Sequence, residues 1–101
     1  MGKGTVKEII MAKSLAAQIK YEAANNVNFK LHPDKIIAHK GGTVELRRGF
    51  FYTHGCTAEM WANSVVLNCA ACDINVELVT QHENWNEWPK DSYFSATVKA
   101  A

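Results

Sequence analysis

KIIAHKGGTVELRR, residues 35–48, sets two runs of strand-forming residues on either side of a pair of glycines. Gly41 and Gly42 accept the positive φ that a tight hairpin turn requires, so Lys35–Lys40 and Thr43–Arg48 read as two antiparallel strands. The second strand continues through Gly49 into Phe50, Phe51 and Tyr52. Val44, Leu46, Phe50 and Tyr52 share a parity, but Arg48 shares it too. A bulge near Gly49 is therefore expected, to change which side chains meet the core.

Working upstream, Leu15, Ile19 and Ala23, with Ala12 and Ala16 beside them, recur at helical spacing behind Ser14, a good N-cap. Asn25 and Asn26 suit a left-handed exit from that helix. Val27, Phe29 and Leu31 alternate with Asn28 and Lys30 as a short strand, closed by a turn at Pro33-Asp34. Downstream, Thr57 caps a second helix with Ala58, Ala62, Val65, Cys69 and Cys72 on one face and Trp61 flanking it. Ile74, Val76 and Leu78 open another strand. The polar loop ENWNEWPKD (83–91) then leads to a last strand with Phe94, Ala96 and Val98 on one parity.

The expected class is α+β, with two helices packed on one face of an antiparallel sheet of four or five strands. Residues 23–31, AANNVNFKL, align without gaps against residues 70–78, AACDINVEL, which suggests a tandem αββ unit. That order resembles a circular permutation of the ferredoxin-like arrangement. The strand from Lys35 to Lys40 is where the repeat fails. From Ser14 to Cys72, the order helix, three strands, helix also resembles a double-stranded-RNA-binding domain, with HPDK (32–35) in place of that family's loop. Thr57-Ala58-Glu59-Met60 lacks the lysines with which that family grips phosphates, so the likeness is one of element order only.

At 101 residues the chain is one domain of ordinary composition, 48% hydrophobic and 21% charged. No apolar run approaches a membrane span. Residues 1–10 read as a non-core leader, with Met11 as the natural start, and residues 11–101 as the domain. Lys7-Glu8 before Met11 can encode a bacterial ribosome-binding sequence, which points to a bacterial or phage source. Three cysteines make a poor disulfide framework and fit a reducing cytoplasm. Residues 1–54 carry nine Lys/Arg against four Asp/Glu, a net +5, and residues 55–101 carry two against six, a net −4.

HGCTAEMWANSVVLNCAAC (54–72) holds every cysteine. Cys69-Ala-Ala-Cys72 has redox or zinc spacing, but a catalytic pair needs a helix N-terminus, and this one ends a helix beside Asp73. His54, Cys56, Cys69, Cys72 and His82 are the only set for zinc, and a zinc deaminase would need an H-x-E and a proline before Cys69. Packing is the expected role, with no catalytic residue, metal or cofactor.

Binding is the expected activity. Lys35, His39, Lys40, Arg47, Arg48 and Phe51 line the basic hairpin (35–54), which offers charge and stacking to single-stranded nucleic acid. Trp85 and Trp88 sit in an acidic loop, Trp88 held beside Pro89 as an anchor for a protein and Trp85 as a lid on the core. The sequence thus reads as a small non-catalytic accessory protein that inhibits or modulates a host protein or protein–nucleic-acid complex. Direct nucleic-acid binding is the alternative, and a homo-oligomer is compatible with either.

Overall fold

A computed structural model describes residues 14–49, 56–88 and 91–101. Ser14 accepts a hydrogen bond from the Ala17 N–H and starts helix α1, Leu15–Asn25. Strands β1 (Lys35–Ala38) and β2 (Val44–Gly49) form the hairpin, with Gly41 and Gly42 at φ +89° and +91°. Thr57 caps helix α2, Ala58–Ala71, through the Met60 N–H. Strands β3 (Val76–Asn84) and β4 (Tyr93–Ala100) follow.

The four strands form one antiparallel sheet in the order β1-β2-β4-β3. Two consecutive hairpins lie side by side with their second strands adjacent. This is the strand order of the permuted ferredoxin-like arrangement, and among the described residues the element order αββαββ is that of a tandem unit.

Register divides the sheet into two faces. Val44 pairs with Val98 and Leu46 with Ala96, and these four side chains form one cluster with Phe94 and with Ala16 and Ile19 of α1. Ala58, Trp61, Ala62, Val65 and Cys69 of α2 join the same cluster, so both helices cover one face. The indole N–H of Trp61 donates to the Leu46 carbonyl at 3.0 Å, satisfying a donor that burial would otherwise leave costly. Cys69 and Cys72 are buried in this core, as packing requires.

Two local expectations change. Residues 27–31 form no strand, although Phe29 and Leu31 are buried and Val27 is almost wholly exposed. Side chains satisfy the backbone there: Asn26 Oδ1 accepts from the Asn28 N–H, and Asn68 Oδ1 from Lys30. The Arg48 guanidinium donates to the Leu31 carbonyl, and His32 turns the chain away at φ +49°. Asn26 is extended rather than left-handed; Asp73, after α2, takes the left-handed exit at φ +62°. The β2–β4 register runs unbroken through Gly49, beyond which the expected bulge would fall outside the described residues, and a register shift lies in β3, between Leu78 and Thr80. Phe50 to Tyr52 and residues 1–10 lie outside the described residues.

Candidate functional site

The hairpin residues separate once folded. Alternation sends Arg47 to the face away from α1 and α2, and Arg48 to the side they cover, where it binds Leu31. Arg47 Nε donates to Glu45 Oε2 at 2.6 Å, and the guanidinium stacks 4.5 Å from the Tyr93 ring centroid. His39 Nε2 stands 2.8 Å from Glu45 Oε1, and Ser95 Oγ donates to Glu45 Oε2 at 2.7 Å. Lys35 and Lys40 are exposed; Phe51 lies outside the described residues.

Glu45 is the centre of this group, on the sheet face away from α1 and α2. Its residue is 6% exposed and Ser95 is wholly buried. Burial pushes the carboxyl up, but hydrogen bonds from Arg47, Ser95 and His39 overcome it and hold the pKa down at about 2. The carboxylate therefore neutralises Arg47 and orients His39. Sequence reading passed over Glu45, Ser95 and Tyr93; the available signal was Glu45 and Arg47 at i and i+2 in a strand, which share a face. A cleft of about 260 Å³ opens beside Arg47 and Tyr93, with Lys35, Asp34 and Asp91 on its walls.

The β3–β4 connection carries the other candidates. Trp85 is 69% exposed and Trp88 61%. Both indoles face outward, which overturns the expectation of Trp85 as a lid. Gln81 and Glu83, on the helix side of β3 just before it, are themselves exposed.

The loop nevertheless has a defined shape. Ser92, 1% exposed, accepts from the Asn86 N–H at 2.9 Å and donates to the Trp88 carbonyl at 3.4 Å. That carbonyl also accepts from the Asp91 N–H, and Asn86 Nδ2 donates to the Asp91 carbonyl. Asn84 Nδ2 donates to the Tyr93 hydroxyl at 2.7 Å across the strand ends. Pro89 lies outside the described residues.

Among the described residues the cysteine and histidine set does not converge. Cys69 lies in the core, whereas His82 pairs across from Ser95 on the opposite face of the sheet. Burial pushes the Cys69 thiol up to about 12, with Cys72 adding to the shift. His54 lies outside the described residues. Among the described residues, no helix is long and apolar enough to cross a membrane. Comparison of the chain with protein-family models, curated proteins and solved structures returns no match.

Proposed function

We propose that this protein is a non-catalytic binding module that captures a protein partner through Trp85 and Trp88, acting as an accessory factor on a host protein or protein–nucleic-acid complex. One observation carries the reading: two indoles stand more than 60% exposed on a loop tied down by its own hydrogen bonds. Exposed tryptophan has large apolar area to bury and few torsions to freeze, which makes it a strong interface anchor. A tied loop has already lost the freedom that binding would otherwise remove.

Direct nucleic-acid binding by the hairpin has less support. Arg47 is committed to Glu45 and Arg48 to Leu31, which leaves Lys35 and Lys40 as its exposed cations.

The test compares the wild type with Trp85→Ala/Trp88→Ala, by affinity purification from the native host and by thermal melting. Each truncation is expected to weaken capture by about 2 kcal/mol or more, roughly thirtyfold in affinity. Melting should change far less than the roughly 3–5 kcal/mol of a core tryptophan. Undiminished capture by the double variant would refute the proposal.

A further inference from the structure

We infer that the outer edge of β3, over Thr80–Asn84, accepts an extended basic segment of the partner as a fifth strand that ends against Trp85. The inference rests on Trp85 and Trp88 being the anchor, and it specifies how the rest of the partner lies.

Among the described residues β3 stands last in the order β1-β2-β4-β3, and one side of its nine-residue backbone lies beyond its pairing with β4. Every residue from Glu77 to Glu83 is exposed. The opposite edge strand, β1, has only four residues. Such an edge is a template for another strand unless something blunts it. The bulge between Leu78 and Thr80 blunts its first part. Beyond the bulge, pairing runs evenly from Thr80↔Thr97 to Asn84↔Tyr93 and leads directly into Trp85.

Charge names the occupant. Residues 73–91 contain five acids and one lysine. Glu77 has Lys99 at 3.6 Å, but both side chains are more than half exposed, and such a pair holds its partner weakly. A second copy is a poor fit, because it would bring two net-acidic stretches together with no lysine or arginine in Thr80–Asn84 to offset them. A segment alternating basic and β-branched residues would set a cation beside Glu83 and carry positive charge towards Glu87 while its backbone satisfied the edge.

The experiment titrates the ¹⁵N-labelled full chain with a capped peptide of about eight residues alternating Lys and Val, long enough to cover the edge segment. Three comparators are a Glu-Val peptide, the Lys-Val peptide N-methylated at alternate residues, and a single-stranded oligonucleotide. Expected are shifts at the Thr80–Trp85 amides, no response to the Glu-Val peptide, and a weakening of about tenfold or more on N-methylation, which removes backbone bonds while sparing side chains.

Silent β3 amides, indifference to N-methylation, or stronger displacement of the same amides by the oligonucleotide would overturn the inference. So would concentration-dependent self-association that silences those amides, which would assign the edge to a second copy. The anchor fails separately from the strand. If the indoles shift while the β3 amides stay silent, strand addition is wrong and the anchor stands. If the β3 amides respond equally in Trp85→Ala/Trp88→Ala, the anchor is wrong and strand addition stands.

Discussion

Replacing Glu45 by glutamine should reveal how much the sheet depends on one carboxylate. A carboxyl held at about 2 instead of its ordinary 4.5 binds its proton far less readily in the folded chain than in the unfolded one. At about 1.4 kcal/mol per tenfold, this charge contributes about 3 kcal/mol at neutral pH. Because the folded pKa is the lower one, the contribution is complete above about 4.5 and disappears as pH falls towards about 2. Glu45→Gln keeps the shape of the side chain but leaves Arg47 and His39 without their anion. The variant should lose about 2–3 kcal/mol at pH 7, roughly 10–20 °C in melting temperature for a chain of this length. Urea unfolding followed by tryptophan fluorescence, repeated from pH 7 to pH 2, measures both proteins. The other carboxylates titrate in both, so the informative quantity is the gap between the two curves. It should be widest above pH 5 and close towards pH 2. A gap that does not change with pH, or no gap at pH 7, would refute the carboxylate as the source.

Iodoacetamide on the native protein should label Cys56 first, because Cys69 is fully buried with its thiol pushed up to about 12; mass spectrometry showing Cys69 labelled as fast as Cys56 would contradict its core placement. Arg48→Glu should cost about 2 kcal/mol or more by removing the tether to Leu31, while Lys35→Glu/Lys40→Glu should stay within about 0.5 kcal/mol. Equal melting of those two variants would show that Arg48 is a surface residue. Trp61→Phe should cost about 1–3 kcal/mol in chemical denaturation through the lost bond to the Leu46 carbonyl and the volume removed, and a neutral result would rule that bond out as a support of β2.

Much of the fold follows from local signals. Gly41-Gly42 announced the first hairpin, Ser14 and Thr57 announced both helix starts, and the parity of Phe94, Ala96 and Val98 fixed the inner face of β4. What was illegible depends on contacts distant in sequence. Val27, Phe29 and Leu31 alternate as a strand would, but Asn68 and Arg48, which satisfy that segment's backbone, come from elements more than fifteen residues away. The bulge in β3 left no glycine mark, because it falls among Leu78, Val79 and Thr80 in an edge strand that tolerates it. The site shows the same division. The exposure of Trp88 was legible from the polar residues around it, whereas that of Trp85, expected as a lid, was not. The loss of Arg47 and Arg48 as free cations was not, since it depends on which face each occupies and on Ser95, fifty residues from Glu45.

The charge asymmetry along the chain becomes an asymmetry between the two edges of the sheet. The basic half of the sequence contributes β1 and β2, and the acidic half β3 and β4. Of the two outer strands, β1 and the turn after it carry Lys35 and Lys40, and β3 carries Glu77 and Glu83. The β1 edge is short, and the arginines of the neighbouring β2 are held by Glu45 and the Leu31 carbonyl. The acidic edge is long and exposed, and it runs into two outward tryptophans. Long-range attraction would orient a basic partner towards that edge before contact, and apolar burial at the indoles would then hold it there. Salt should therefore slow association with the partner while leaving dissociation, governed by the tryptophans, nearly unchanged.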